Sequence, residues 1–293
     1  MIIAVINNKG GTGKTTTSVN LAGAFASLGY DILVVDLDPQ ASASISLGST
    51  MNMLLPSVAN VLFDGIQTES AIRKTSTPGI DLLTADPELI HTDLTVADVP
   101  GRDGLLKSAL SEVREDYDFI ICDCPPSFSM VSVNALVAAD AYVIPVTPDY
   151  LALEDLGCMM GIVNDLRNKT DIGAELLGIV VTMTPNIPSF LSSNARLARN
   201  NIGELRHHFG DDVFTTEIKM DSKLADAPAY GTTVFGAAPS SQGAKQYMAL
   251  AEELIERHRI IKRKTRERRK TQPTGPVLKI ASMKRRQITL PPI

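Results

Sequence analysis

The chain contains no tryptophan, only 5% aromatic residues, four histidines and three cysteines among 293 residues. Each shortage excludes something. Cys122 and Cys124 lie one residue apart and Cys158 stands alone, an odd set that reads as reduced thiols rather than a disulfide framework. His91, His207, His208 and His258 are scattered, and no cysteine or histidine group has zinc or cluster spacing, so no structural metal is expected. No run approaches about 18 uninterrupted apolar residues. Residues 1–20 lack a basic segment followed by an apolar one, so neither a membrane span nor a signal peptide is expected, and the expected location is cytoplasmic. With 44% hydrophobic residues, the chain has material for a core without staples.

What is present begins with a division of charge. The formal net charge is −5, yet residues 257–293 hold 13 Lys or Arg and one acid, Glu267, for a net +12. The other 256 residues hold 15 basic and 32 acidic residues, for −17. An acidic body carries a basic tail. Near Glu256 apolar residues thin out and Lys/Arg, Pro and Thr take over, so the expected organisation is one domain, 1–256, followed by a flexible basic tail, 257–293.

Within the body, short apolar runs alternate with amphipathic stretches, the signature of βα units on a twisted, mainly parallel sheet flanked by helices. Expected strands are Ile2–Ile6, Ile32–Val35, Ile80–Leu83, Phe119–Cys122, Ala141–Val146 and Leu176–Val181. Lys14–Leu28 is expected as a helix, with Leu21, Phe25 and Leu28 on one face and Gly29 at its end. Further helices are expected at 104–115, 131–139, 150–167, 192–209 and 240–258.

The first chemical signal lies between the first strand and the first helix, in Lys9-Gly10-Gly11-Thr12-Gly13-Lys14-Thr15. Glycines let the backbone curl so that its N–H groups surround phosphate oxygens, and the helix N-terminus adds positive potential. Lys14 would reach the β- and γ-phosphates, and the Thr15 hydroxyl would ligate Mg²⁺. Asn8 stands where the usual phosphate-loop pattern has glycine, so this is a variant loop. Three Asp at strand ends supply hard oxygen donors: Asp123 after an apolar strand, and Asp36 with Asp38, two apart and so on one face.

These residues resemble a known family. Lys-Gly-Gly-x-Gly-Lys-Thr with the extra Lys9 is similar to the deviant Walker A motif of the ParA/MinD group of P-loop ATPases. Val34-Val35-Asp36-Leu37-Asp38-Pro39-Gln40 resembles the group's Walker A-prime segment, and Asp118 to Ser127 resembles its Walker B. Leu224-Ala225-Asp226-Ala227-Pro228-Ala229-Tyr230-Gly231 resembles the adenine-side segment of ParA and Soj partition proteins. The resemblance spans roughly residues 1–256.

The resemblance implies a Mg-dependent ATPase with ATP and Mg²⁺ as cofactors. It implies that Lys9, Gly10, Gly11, Thr12, Gly13, Lys14, Thr15 and Thr16 hold the phosphates, with Met183, Asp226 and Pro228 on the adenine side. Thr15, Asp36 and Asp123 would form the Mg²⁺ shell. Catalysis would rest on Lys9, Lys14 and Asp38, the last activating water. Lys9 would reach the nucleotide of a facing subunit, which makes ATP a dimerisation ligand. Hydrolysis would be slow until a ParB-like or adaptor partner completes the site.

The resemblance also implies non-specific DNA binding and association with the nucleoid. The candidate contacts in the body are Arg196 and Arg199, which share a helix face, and Lys223. Met220 stands at a position that is commonly basic in the family. The tail adds Arg263, Lys264, Arg266, Arg268, Arg269 and Lys270, enough positive charge to offset the acidic body at a phosphate surface. Two other classes stay open. A MinD-like membrane-surface ATPase would need an apolar helix face, and Ile260 and Ile261 alone do not form one. A cluster-carrying or metabolic enzyme of the superfamily would use Cys122 and Cys124, whose setting in an apolar strand fits small core residues instead. The tail could also contact a protein or lipid, or serve solubility alone.

Overall fold

Strands that are apolar at nearly every position, without alternation, bury both faces, and such strands form parallel sheets covered by helices. The computed structural model describes residues 1–95, 97–170, 172–188 and 191–271, the side chains of Leu94 and 261–271 excepted. In chain order the first elements are β1 (Ile2–Val5), α1 (Lys14–Ser27), β2 (Ile32–Asp36), α2 (Ser42–Ser46), α3 (Val58–Phe63), α4 (Thr68–Ala71), β3 (Ile72–Lys74), β4 (Ile80–Leu83) and α5 (Thr92–Thr95). There follow α6 (Leu105–Ser111), β5 (Phe119–Asp123), α7 (Met130–Ala138), β6 (Ala141–Val146), α8 (Ala152–Arg167), β7 (Glu175–Thr184) and α9 (Ser193–Phe209). The last are β8 (Val213–Lys219), α10 (Ser222–Asp226), α11 (Val234–Ala237) and α12 (Gln242–Thr271).

The eight strands form one sheet in the order β3-β4-β2-β5-β1-β6-β7-β8. All neighbours are parallel except β3 and β4. β1, β2, β5 and β6 are buried at every position, and their side chains feed a core that α7 and α8 cover with Leu136, Leu156, Met159 and Val163. Register places Asp36 of β2 and Val5 of β1 on either side of Asp123 of β5. The C-terminal ends of three adjacent strands therefore meet at one edge of the sheet.

An aromatic clamp fixes α1 against this centre. Phe25 stacks on Phe119 at 4.2 Å with the rings 5° from parallel, and Tyr30 meets both edge-on. Removing a buried phenylalanine such as Phe25 costs about 3–5 kcal/mol. With that end held at the start of β5, the opposite end of α1 is carried to the C-terminal end of the same strand.

Two strands and a helical extension differ from the sequence expectation. β3 has three residues, too few for a period to register, and its burial is partial. β8 is an edge strand whose mixed burial over VFTTEIK matches neither a buried run nor strict alternation. α12 runs to Thr271 rather than ending at 258: between Gly243 and Pro273 there is no glycine or proline, and Lys, Arg and Glu are good helix formers. The chain divides into two units, Met1–Arg257 and His258–Ile293.

Arg257 corrects the expected tail. Its guanidinium lies over the Phe214 ring at 4.1 Å from the centroid, donates to the carbonyls of Leu177, Asp212 and Val213, and pairs with Glu253 at 3.0 Å. It is a packing residue of the body. Gly178 makes room for it, since a Cβ there would lie 2.6 Å from Phe214 and 2.8 Å from the guanidinium.

Candidate functional site

The loop after β1 is shaped by two backbone positions that only glycine adopts without strain: Gly11 at φ 74° and Gly13 at φ 83°. Gly13 is also the N-cap of α1 and brings no side chain to its first turn. The amides there remain directed at whatever sits above the helix N-terminus, which is the condition for holding an anion. From the far side, Thr182 of β7 braces the loop through its hydroxyl, which donates to the Thr12 carbonyl at 2.8 Å.

Lys14 is only 6% exposed, and its ammonium donates to the Lys9 carbonyl at 2.9 Å. Burial lowers its pKa, and the nearby carboxylates Asp123 and Asp38 oppose that shift. Thr15 and Ser18, on successive turns of α1, donate to the two oxygens of Asp123 at 2.8 and 2.7 Å. Asp36 accepts the amide and hydroxyl of Ser44, both at 2.7 Å, and the amide of Asp38 at 3.1 Å. Asp38 stands at the rim, half-buried, and accepts the Gln40 amide.

Burial pushes the proton affinity of both carboxyls upward. Desolvation is the main cause for both, raising Asp36 to about 6 and Asp123 to about 7, with repulsion from Asp36 adding to the effect at Asp123 and repulsion from Asp38 at Asp36. Negative charge concentrated in a dry site beside a hydroxyl and a lysine suits a hard divalent cation that carries phosphate oxygens. The residues present fit Mg²⁺ and a nucleotide triphosphate. Among the described residues, the buried Oδ1 of Asn8 has no hydrogen-bond partner, which leaves an acceptor within the loop itself.

Beside the loop opens a cavity of about 380 Å³, lined mainly by apolar atoms from Gly13, Thr16, Met183, Leu224, Ala225 and Tyr247. Tyr247 of α12 is tied to α1 by a hydrogen bond between its hydroxyl and that of Thr17, 3.2 Å apart. Met183 holds φ 53°, a left-handed conformation that costs a non-glycine residue about 1–3 kcal/mol. An apolar cavity that shares Gly13 and Thr16 with the phosphate loop suits an apolar, planar group such as a nucleotide base.

Of the residues expected on the adenine side, Met183 lines this cavity, whereas Asp226 and Pro228 do not. Their neighbours Leu224 and Ala225 do so instead. The short α10 turns Asp226 outward, where it pairs with Lys223 at 3.2 Å.

Lys9 takes part in a different arrangement. Its ammonium lies 2.9 Å from Asp149 and 3.0 Å from Asp155 of the same chain. The hydrogen bond that Lys9 donates to Asp149 is the leading cause that raises the Lys9 pKa. The Thr147 hydroxyl shares the same Asp149 oxygen at 2.7 Å. Sequence reading missed both aspartates, 140 and 146 residues away, and no local pattern marks them. Ser18 and Ser44 were missed as well, although each lies a short helical or turn distance from a residue already singled out.

The structure separates the DNA candidates from one another. Arg196 and Arg199 are exposed on α9, while Arg206 of the same helix is taken up by Glu217 and the carbonyls of Phe214 and Thr215. The side chains of Arg263, Lys264, Arg266, Arg268, Arg269 and Lys270 lie outside the described residues, although their backbone belongs to α12. Cys122 and Cys124 are buried in the core with thiol pKa values pushed up by desolvation, Cys122 to about 12. Cys158 is exposed. Among the described residues, no group of three or more His, Cys, Asp or Glu could hold a metal ion by itself. No helix there is long and apolar enough to cross a membrane.

Comparison with known proteins agrees with this geometry. The AAA domain family matches residues 1–175. The sporulation initiation inhibitor protein Soj of Bacillus subtilis is 35% identical over 253 residues, 86% of this chain and 97% of that protein. The chromosome-partitioning ATPase Soj of Thermus thermophilus is 38% identical over 255 residues, 87% of this chain and 95% of that one. Among solved structures, cobyrinic acid a,c-diamide synthase from Mycobacterium smegmatis with bound ADP and magnesium superposes with a TM-score of 0.75 at 28% identity, over 88% of this chain and 95% of that one.

Proposed function

Because the chain belongs to the Soj/ParA group of AAA-domain P-loop ATPases, we propose that it is a Mg-ATP-dependent positioning ATPase. It dimerises on ATP, holds duplex DNA without sequence preference, and lets go when a cargo-bound partner stimulates hydrolysis. The observation that carries this reading is the meeting of Lys14, Thr15, Asp36, Asp38 and Asp123 where β1, β2 and β5 end.

Each of these residues then has a task. The loop amides and Lys14 hold the β- and γ-phosphates, with charge gathered on the transferring group as in other phosphoryl transfers. Thr15, Asp36 and Asp123 would hold Mg²⁺, which when bound would neutralise charge on the phosphate oxygens. Asp38, half-buried and closest to solvent of the three carboxylates, orients the attacking water. Leu224, Ala225, Met183 and Tyr247 take the adenine. Lys9 exchanges its intrachain aspartates for the nucleotide of the facing subunit, which links ATP occupancy to the dimer.

The test is assembly. Light scattering should find monomer without nucleotide and dimer with a slowly hydrolysed ATP analogue, and Lys9→Ala should remain monomeric with the analogue bound. A dimer that forms regardless of nucleotide and of Lys9 removes the switch from this reading.

A further inference from the structure

The basic segment that begins α12's second half has an order that composition alone does not reveal. At 3.6 residues per turn, positions 262, 263, 266, 269 and 270 fall at i, i+1, i+4, i+7 and i+8. They occupy one stripe, about a third of the helix circumference. All five are Lys or Arg. The remaining circumference collects Ile260, Ile261, Lys264, Thr265, Glu267, Arg268 and Thr271, a mixture without dominant charge or apolarity. Glu267 is spaced four from Arg263 and three from Lys264 and Lys270, distances at which opposite charges support a helix.

We infer that this stripe, rather than the tail's total charge, is a phosphate-contacting surface for duplex DNA, and that Lys264 and Arg268 lie off it. The inference rests on the proposal that the chain holds DNA without sequence preference. The five positions span about 12 Å of helix at 1.5 Å per residue, and the phosphates of one strand recur about every 3.4 Å of duplex axis. A one-sided row of cations matches one phosphate ridge and leaves the bases unread. A membrane surface is disfavoured by the same placement: an interfacial helix needs an apolar face opposite the charged one, and Ile260 and Ile261 are adjacent and interleaved with Lys264 and Arg268.

Two full-length variants with equal charge loss decide the matter. Lys262→Ala with Arg266→Ala removes two on-stripe cations, and Lys264→Ala with Arg268→Ala removes two off it. Binding to a duplex of mixed sequence is followed against salt in the presence of a slowly hydrolysed ATP analogue. The on-stripe pair should flatten the slope of log K against log salt by about two units, at roughly 0.9 per phosphate, and the off-stripe pair by less than half a unit. Equal losses in the two variants overturn the stripe while leaving a generally cationic tail. The unaltered chain tests the underlying reading, which falls if it binds no DNA with the analogue present; a third variant, with all seven of these cations changed to alanine, tests the segment. If its affinity and slope match those of the unaltered chain, the segment does not hold DNA at all. Stripe-dependent binding to vesicles of anionic phospholipid, without stripe-dependent binding to DNA, also overturns the inference.

Discussion

Asp36 and Asp123 are register partners on adjacent strands, both fully buried, and hydroxyls and amides from Ser44, Asp38, Thr15 and Ser18 solvate them in place of water. Ionising both in the dry fold is unfavourable in a way the unfolded chain does not experience. The fold therefore binds their protons more tightly than the unfolded chain, with values of about 6 and about 7 against an ordinary 3.8. Their contribution to stability is full below the ordinary value and is lost as pH rises through 6 to 7. In metal-free buffer the melting temperature should fall between pH 5 and 7.5, by on the order of 5 °C for about 2 kcal/mol in a body of this size. Asp123→Asn should remove most of that fall, and Mg-ATP should stabilise the unaltered protein more at pH 7.5 than at pH 5.5. Calorimetry that finds a melting temperature rising over this range in both proteins would contradict the assignment.

Lys14 and Asp38 separate binding from turnover. Lys14→Ala should abolish ATP binding in calorimetric titration. Asp38→Ala should bind ATP within about threefold of the unaltered protein and hydrolyse it at least about tenfold more slowly, because only orientation of the water is lost. Unchanged turnover in the Asp38 variant would remove its proposed role.

The apolar slot makes a third prediction, one of shape. Ala225→Trp should fill part of the cavity beside Gly13 and weaken ATP binding by tenfold or more, with a melting temperature close to the original, since Ala225 is exposed toward the opening. Asp226→Ala, outside the slot, should change ATP affinity by less than about threefold. Measured affinities in the reverse order would place the base elsewhere.

Arg257 carries a prediction about stability alone. Arg257→Ala loses a cation–π contact, carbonyl hydrogen bonds and the Glu253 pair and should destabilise the fold by about 2 kcal/mol. Gly178→Ala, which drives a methyl group into Phe214 and Arg257, should cost about 1–3 kcal/mol. Chemical denaturation measures both. Neither variant should change the salt dependence of DNA binding, which sets Arg257 apart from the basic residues that follow it in the chain.

Legibility from sequence followed the range of the interactions. The phosphate loop, Asp36 and Asp123 were readable because their chemistry is written in consecutive residues at strand ends, where spacing and neighbours specify the backbone. The central strands were readable because burial on both faces leaves an unbroken apolar run. The partners of Lys9 were not, because Asp149 and Asp155 reach it only through the pairing of β1 with β6 and the placement of α8. The lining of the slot was not legible residue by residue: Leu224 and Ala225 line it while Asp226 faces outward, a rotation set by the short helix α10. Arg257 was grouped with the tail because a count of charge ignores the aromatic ring and carbonyls that hold it.

The division among the three cysteines has a practical consequence. Cys122 and Cys124 are sealed in the core, whereas Cys158 lies exposed on α8, three residues after the Asp155 that engages Lys9. The native sequence thus offers one addressable thiol, less than a helical turn from the ion pair that the proposed nucleotide-driven pairing would break. A single fluorophore or spin label attached there needs no engineered cysteine. It reports on the loop's neighbourhood from a position that leaves every assigned nucleotide ligand untouched.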